Sequence, residues 1–281
     1  MSAPGVLAHR VDGRGEPLLL LNGGMMSYGA WDAFVAPLAE RYRVVRCDFR
    51  GQLRSPGTPP AGFDGHAEDL VALLDHLGVP RCHVVGTSFG GFAALHLAAG
   101  APERVASLAA LTVTDRVSEE MLREARALAV ASLETLRGGA RERVYDLIAE
   151  FAYSPAWAAA HAAELAERRA LVAHLPASWF EGLAGLLGAL EGLDLSPLLP
   201  RISCPSLVLL ADGDRAMPLL RGRALAAALP RGELAVVEDA GHAVVVEKPA
   251  ETLSILLAFL ARNPLAGEDA APSTGRDGGP S

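Results

Sequence analysis

The sequence has little of three features that would place it in another class of protein. It contains 3 cysteines among 281 residues, and none has the paired spacing of a metal site or a disulfide framework. No run of Lys or Arg could follow a phosphate backbone, and 25 basic against 33 acidic side chains give a net charge of −8. No uninterrupted apolar run approaches the roughly 18 residues that suggest a membrane span. We therefore expect no metal, no nucleic-acid partner and no membrane partner.

The cysteines and the first residues indicate where the protein works. Cys47, Cys82 and Cys204 lie in or beside apolar, strand-like runs, as small core residues do in a reducing compartment. The stretch MSAPGVLAHRVDGRGEP has no cationic segment followed by an apolar one, so it does not look like a secretory leader. We expect a cytoplasmic protein.

Hydrophobic residues, 51% of the chain, form short strand-like runs that alternate with helical patterns. Several of these runs are apolar on both faces, as parallel strands covered by helices must be. The predicted strands are 6–11, 17–22, 42–48, 82–87, 105–113, 206–211 and 233–239, and the predicted helices are 31–40, 66–77, 89–100, 219–229 and 249–262. The pattern predicts an α/β fold with a mostly parallel central sheet flanked by helices.

The alternation stops between the strands predicted at 105–113 and 206–211. About 85 residues rich in Ala, Leu, Glu and Arg intervene with helical periodicity. We therefore assign residues 1–114 and 204–263 to the α/β core and residues 115–203 to an inserted helical cap. Residues 267–281 are small, polar and turn-forming, so we expect a disordered tail over residues 264–281.

The stretch HVVGTSFGGFAALHLAAG contains the first candidate catalytic residue, Ser88. A β-branched run precedes Gly-x-Ser-x-Gly and apolar residues at helical spacing follow it, which predicts a strand, a sharp turn and a helix. A serine on such a turn has an exposed hydroxyl, and the next amide is directed at the group that it attacks. The alternative is a chance Gly-Thr-Ser turn, which the strand-to-helix context argues against.

A nucleophilic serine needs an imidazole to take its proton and a carboxylate to orient that imidazole. His242 lies in a loop after a strand and a glycine, so we predict that it is the base. Of the two acids that follow the strand at 206–211, we favour Asp214, because it lies further into the loop. Asp212 beside a glycine is as easily a turn former. Asp115, after the preceding strand, is a third possibility.

Acyl transfer also needs donors for the developing oxyanion, and backbone amides on preorganised turns serve this purpose well. One donor should be the amide of Phe89. The other should come from the loop NGGMMSYGAW, where Gly24 is our first choice and Met25 our second. An ordinary glycine turn is the alternative, but it does not explain why the loop follows the carboxyl end of a strand, where ligands of open α/β sheets bind.

The substrate pocket is predicted from residues beside the catalytic loops and in the cap. Methionines next to those loops would form a soft apolar wall. Most cap aromatics should belong to the core of the cap, with one or two reaching the substrate. The methionines are Met25, Met26 and Met217, and the cap aromatics are Tyr153, Trp157, Trp179 and Phe180. With no cationic cluster near the predicted site, we expect an apolar or weakly polar acyl group.

Taken together, these residues resemble the α/β-hydrolase superfamily over about residues 5–263. The matching segments, in order, are LLLLNGG, CDFRGQLRSPG, VVGTSFGGFAAL, APERVASLAAL, ISCPSLVLLADGD and DAGHAVVVEKPAE. Within the superfamily the chain is similar to capped hydrolases that include 3-oxoadipate enol-lactonases and cofactor-free esterase or haloperoxidase-type enzymes. The resemblance implies an α/β-hydrolase fold, a small-molecule substrate and no cofactor.

Two positions depart from the pattern of that superfamily. Asn22-Gly23 stands where many relatives have His-Gly, and it leaves an amide side chain to hold the loop. Leu53 replaces the second glycine of the usual Asp-x-Arg-Gly-x-Gly-x-Ser motif, so the loop there should differ in backbone shape. Because the nucleophile position holds Ser88 and not Asp, the resemblance does not imply dehalogenase or epoxide-hydrolase chemistry.

The sequence predicts a serine hydrolase that cleaves a small carboxylic ester, lactone or thioester through an acyl-enzyme on Ser88. Two alternatives from the same residues stay open. Hydrolysis of a carbon–carbon bond, or acyl transfer to a nucleophile other than water, would use the same triad. A scaffold retained only for binding a small molecule would keep the triad without turnover.

Overall fold

Seven strands form the centre of the computed structural model, which describes residues 6–265. They are β1 (His9–Asp12), β2 (Glu16–Leu21), β3 (Tyr42–Cys47), β4 (Cys82–Thr87), β5 (Val105–Leu111), β6 (Ser206–Ala211) and β7 (Gly232–Val237). Their order in the sheet is β1-β3-β2-β4-β5-β6-β7. The pair β1 and β3 is antiparallel, and all the other neighbours are parallel. The predicted α/β fold with a mostly parallel sheet is confirmed.

Eleven α-helices are present in the described part of the chain. They are α1 (Asp32–Ala39), α2 (Phe63–His76), α3 (Phe89–Gly100), α4 (Glu119–Glu134), α5 (Glu142–Ala152), α6 (Pro155–Ala160), α7 (Ala162–Ala173), α8 (Ala177–Gly188), α9 (Leu219–Ala228), α10 (Val244–Glu247) and α11 (Pro249–Arg262).

The two faces of the sheet are covered by different helices because side chains of a strand alternate between faces. In β2, Leu19 and Leu21 join a core that includes residues of α2, α3 and α9. Leu18 and Leu20 of the same strand join a core on the other face, with residues of α1 and α11. All residues of β4, β5 and β6 are buried. Burial on both faces explains why these runs are apolar throughout.

Helices α4 to α8 lie between β5 and β6, within the segment 115–203 that we predicted as a cap. They contribute to a third apolar cluster, which includes Leu128, Ile148, Trp179 and Phe180. We call residues 115–203 the cap segment below. Of the predicted tail, Pro264 and Leu265 are described, and the remainder, residues 266–281, lies outside the described residues.

Within residues 6–265, no single helix is long and apolar enough to cross a membrane. Only α7 and α8 taken together reach the required length and composition, and the chain bends by 104° between them.

Candidate active site

Ser88 lies on the sharp turn between β4 and α3, as the sequence predicts for this position. Its backbone has φ 52° and ψ −118°, a combination that a residue with a side chain rarely adopts. The Ser88 amide donates to Leu111 O (2.9 Å), and its carbonyl accepts from the amides of Gly91 (2.8 Å) and Phe92 (3.1 Å). The surrounding strand and helix therefore hold this strained conformation in place.

Two glycines permit the close approach of backbone segments around Ser88. A Cβ atom on Gly86 would lie 2.2 Å from the carbonyl oxygen of Gly90. A Cβ atom on Gly90 would lie 2.5 Å from the carbonyl oxygens of Leu21 and Asn22. Glycine at both positions lets α3 start directly behind β4 and beside the end of β2.

The structure brings the three residues predicted as a triad into direct contact. His242 Nε2 lies 2.9 Å from Ser88 Oγ, and His242 Nδ1 lies 2.9 Å from Asp214 Oδ2. The other carboxylate oxygen, Asp214 Oδ1, accepts hydrogen bonds from the amides of Ala216 and Met217, both at 2.8 Å. These bonds fix the carboxylate, so it can orient the imidazole toward the serine.

The environment of His242 changes how firmly it holds a proton. Burial lowers the pKa of His242, because a charged imidazolium loses hydration. The Asp214 carboxylate, through its charge and its hydrogen bond, more than offsets burial and raises the pKa above the ordinary 6.5. Asp214 therefore stabilises the imidazolium that forms when the imidazole accepts a proton.

The other two candidate acids lie elsewhere. Asp212 is exposed and forms no hydrogen bond with His242. Asp115 is buried and pairs with Arg116 (3.3 Å) and Arg221 (3.4 Å). Of the three acids that the sequence offered, Asp214 is the one in contact with the imidazole.

The predicted oxyanion donors lie next to each other across two loops. A Cβ atom on Gly24 would lie 3.7 Å from Phe89 Cβ, so the loop after β2 runs beside the start of α3. The amide of Phe89 is in the first turn of α3, where amides have no intrahelical acceptor. The amides of Gly24 and Met25 donate to no acceptor within residues 6–265. Both remain candidates for the second donor.

Gln52, which the sequence analysis did not single out, braces the loop that carries Gly24. Its Nε2 donates to the carbonyls of Gly23 (2.8 Å) and Gly24 (3.2 Å). Its Oε1 accepts from Asn22 Nδ2 (3.2 Å) and from the Phe49 amide (2.8 Å). Because Gln52 binds the carbonyls of Gly23 and Gly24, it holds the loop in one shape. The one signal in the sequence was the position of Gln52 inside the CDFRGQLRSPG motif.

Glu247, also missed from sequence, ties the loop of the base to the cap segment. Its Oε1 accepts from the amides of Gly241 (3.1 Å) and Ser154 (3.0 Å), and its Oε2 accepts from Ser154 Oγ (2.6 Å). The Ala243 amide donates to Ala152 O (2.8 Å) in the same seam. Of the residues on the two sides of His242, Ala243 is therefore bonded directly to the junction between α5 and α6, and Gly241 is linked to it through Glu247.

A cavity of about 440 Å³ opens above Ser88 and His242. Most of its lining side chains are apolar, and they come from the catalytic loops and from the cap segment. Of the predicted pocket residues, Met25, Met26, Met217 and Trp179 line it, and so does the cap residue Tyr153. The volume lies within the range of small-molecule sites, roughly 300–1,000 Å³.

Two of the cap aromatics lie outside that lining. Trp157 stacks between Tyr153 (5.0 Å between ring centroids) and His161 (4.0 Å). Phe180 is fully buried beneath the Arg141 guanidinium. The prediction of Trp157 as a pocket residue therefore needs correction, because its ring packs within the cap segment. Among residues 6–265, no three His, Cys, Asp or Glu side chains group as a metal site requires.

Comparison with known proteins gives one consistent family. The model of the family described as "alpha/beta hydrolase fold" matches residues 16–249. The "Putative carbamate hydrolase RutD" of Pseudomonas syringae pv. syringae (strain B728a) is 33% identical over 252 residues, which cover 88% of this chain and 95% of that protein.

Two solved structures are similar in fold. MGS-M2, an alpha/beta hydrolase enzyme from a Medee basin deep-sea metagenome library, has a TM-score of 0.85 and 25% identity, and the match covers 94% of this chain and 97% of that one. The enol-lactonase from Burkholderia xenovorans LB400 has a TM-score of 0.79 and 26% identity, with 91% and 96% covered.

Proposed function

This chain belongs to the α/β-hydrolase family, and from that premise we propose a serine hydrolase that cleaves a small carboxylic ester, lactone or thioester. The observation that carries the proposal is the pair of 2.9 Å contacts that joins Ser88, His242 and Asp214. The strained backbone at Ser88 supports it, because such strain is often found where it positions a reacting group.

In the first step Ser88 Oγ attacks the carbonyl carbon of the substrate. His242 Nε2 takes the hydroxyl proton as the new carbon–oxygen bond forms, and Asp214 stabilises the resulting imidazolium. The carbonyl oxygen becomes an oxyanion that accepts from the Phe89 amide and from the amide of Gly24 or Met25. Gln52 keeps the second of these donors in position by binding the carbonyls of the same loop.

Collapse of this intermediate breaks the bond to the leaving group and gives an acyl-enzyme on Ser88. His242 gives its proton to the departing oxygen or sulfur. A water molecule then attacks the acyl carbon while His242 accepts a proton from it, and the second collapse returns that proton to Ser88 Oγ. The products are a carboxylic acid and an alcohol or thiol, which for a lactone are parts of one molecule.

The cavity supports a substrate with a substantial apolar part. Met25, Met26 and Met217 lie beside the catalytic residues, where flexible thioethers adapt to different shapes. The cap segment supplies most of the remaining wall. The three cysteines of the chain are buried and unpaired, which supports our proposal of a cytoplasmic enzyme.

Carbamate hydrolysis is a second candidate, favoured by the name of the RutD relatives, which are about one third identical to this chain. The same triad can attack a carbamate carbonyl. Cleavage of a carbon–carbon bond and acyl transfer would also begin at Ser88, and product analysis with diketones or with added alcohol acceptors separates them from ester hydrolysis.

Replacing the nucleophile tests the proposal. Ser88→Ala should lower kcat for short p-nitrophenyl esters by several orders of magnitude, leaving only residual catalysis. A fluorophosphonate should label Ser88 in the wild type. Ser27, the other serine of the cavity lining, gives the matched variant Ser27→Ala, which should keep the label. An adduct on Ser27, or ester turnover that survives in Ser88→Ala, would overturn the assignment.

A further inference from the structure

One part of the cavity wall that the cap segment supplies is polar. Tyr145 of α5, Tyr153 after α5 and Arg168 of α7 all line the cavity, and all belong to the cap segment. They face a space whose other cap residues are mostly apolar. The mechanism described above uses none of these three side chains.

The Tyr145 hydroxyl is the least explained of these groups. The residue is 6% exposed, and its buried hydroxyl makes no hydrogen bond of normal geometry within the described residues, although the Tyr153 hydroxyl lies close enough for a weak one. A buried hydroxyl without a partner destabilises a protein, so such groups are rare unless a ligand or a water satisfies them. Burial raises the pKa of Tyr145 above its ordinary 10, and the nearby Tyr153 raises it as well. The phenol is therefore neutral and able to donate.

Tyr153 and Arg168 add donors beside it. Arg168 Nη1 donates to the Tyr153 hydroxyl at 3.4 Å, so the proton of Tyr153 remains available to another acceptor. Arg168 is already paired with Glu164 at 2.6 Å, which balances its charge. Glu124 also lines the cavity. The cluster thus offers hydrogen-bond donors without a net positive charge.

We propose that Tyr145, Tyr153 and Arg168 form a subsite for an uncharged oxygen acceptor of the substrate, a ketone or ether oxygen that is not part of the bond that is cleaved. A carboxylate at this point would lie near Glu164, and the cavity lining formed by the described residues holds no unpaired Arg or Lys to compensate it. This inference rests on the proposed hydrolase function and narrows its substrate class. The preferred substrate is then an ester or lactone with a second oxygen, not a plain alkyl ester.

Pairs of substrates that differ in one group test the subsite. One series has p-nitrophenyl alkanoates and the matching oxoalkanoates, with the keto group moved along the chain. The other has esters of alkanols and of the matching oxoalkanols, so that both sides of the scissile bond are sampled. For at least one pair we expect kcat/KM for the keto ester to exceed that for its methylene analogue by about tenfold or more.

The subsite variant is Tyr145→Phe, and the measured quantity is the ratio of kcat/KM within that pair. The ratio should fall to about one in Tyr145→Phe. Tyr42→Phe is the matched control, since Tyr42 is also 6% exposed but lies on β3 outside the cavity, and it should keep the wild-type ratio. The melting temperature of Tyr145→Phe should change little, because the variant removes a hydroxyl that makes no hydrogen bond of normal geometry.

Several results would overturn the subsite. These are equal rates within every pair, a keto preference that survives in Tyr145→Phe, or a clear drop in the melting temperature of Tyr145→Phe. If plain esters are hydrolysed in a Ser88-dependent way while the pairs react equally, the subsite fails and the hydrolase proposal stands. If no ester of either series is turned over, both fail.

Discussion

At the residue scale, the choice between two acids in one loop decides how the imidazole is held. Asp212 and Asp214 are two positions apart, yet one is exposed and the other is bonded to His242 with its side chain 2% exposed. The Ala216 and Met217 amides hold the carboxylate from behind. A carboxylate held in this way sets both the tautomer and the direction of the ring.

Replacing Asp214 should therefore remove most catalysis without unfolding the protein. For Asp214→Asn we expect kcat to fall roughly 10⁴-fold, because the amide favours the wrong tautomer of the imidazole. Steady-state kinetics on one p-nitrophenyl ester, with circular dichroism to check the fold, would measure this. Asp212→Asn is the matched control and should be close to wild type. A crippled Asp212→Asn beside a nearly normal Asp214→Asn would contradict our choice of acid.

The raised pKa of His242 predicts the pH dependence of the wild-type enzyme. The neutral imidazole is the working base, so kcat/KM should rise with pH as His242 loses its proton. Because Asp214 stabilises the protonated form, this rise should be centred above the ordinary 6.5. A pH profile of kcat/KM between pH 5 and 9 checks it. A midpoint clearly below 6.5 would mean that burial outweighs the carboxylate.

At the scale of the elements, the sequence predicts the helices and strands whose apolar residues follow a clear local periodicity. Strand β4 and helices α3 and α11 have the bounds that we predicted, since each has a continuous apolar pattern or a Pro at its start. Helix α2 begins at Phe63, three residues before the prediction, where Phe63 packs against Phe89 and Phe92. The four-residue helix α10 is too short to show a period.

The residues of the candidate site also divide into those that the sequence could predict and those that it could not. Ser88, Asp214 and His242 could be predicted together because the loops after the parallel strands β4, β6 and β7 lie at the same edge of the sheet. Gln52 and Glu247 could not, since their partners are up to 30 and 93 positions away. The prediction of Trp157 as a pocket residue was wrong, because helical periodicity does not show which neighbour an aromatic ring packs against.

Glu247 gives a prediction about how two elements are joined. Glu247 accepts from three donors, the amides of Gly241 and Ser154 and the Ser154 hydroxyl. In Glu247→Gln one acceptor oxygen is replaced by an NH₂ group, which cannot accept from them, so the loop of His242 should shift. We expect kcat to fall roughly tenfold to a hundredfold, as small misplacements of a reacting group do. The free energy of unfolding in urea should fall by about 1–3 kcal/mol.

The exposed Glu251 of α11 provides the matched control, Glu251→Gln, which should be normal in both measurements. Lower stability with an unchanged kcat would show that Glu247 holds the fold and does not position the base.

At the scale of the whole molecule, acid stability depends on a histidine beneath the nucleophile turn. His66 is fully buried against Phe49, Phe63 and Phe89, and neither ring nitrogen has a partner in the described part of the chain. Burial lowers the pKa of His66 to about 4. The folded protein therefore keeps this imidazole neutral at a pH where the unfolded chain would protonate it.

This difference makes the fold less stable in acid. Between about pH 6.5 and pH 4 the unfolded state binds a proton at His66 that the folded state does not, so the free energy of unfolding falls as the pH falls. The size is about 3 kcal/mol over that interval. Urea unfolding at pH 7 and pH 4 would measure it.

His66→Leu should lose less stability over this interval than the wild type. His76→Gln changes an exposed histidine and should behave like the wild type, and equal losses in all three proteins would refute the role of His66.

The contact between Ser88 and His242 joins positions 154 residues apart, with the whole cap segment between them. On refolding, the local helices and the adjacent strand pairs can form before so remote a pair is brought together, since closing a long loop costs chain entropy. Recovered activity therefore reports the last stage of assembly, whereas circular dichroism reports the first. The delay between the two signals measures how long the chain takes to close the cap segment and pair β6 with β5, which brings the loops of Asp214 and His242 to Ser88.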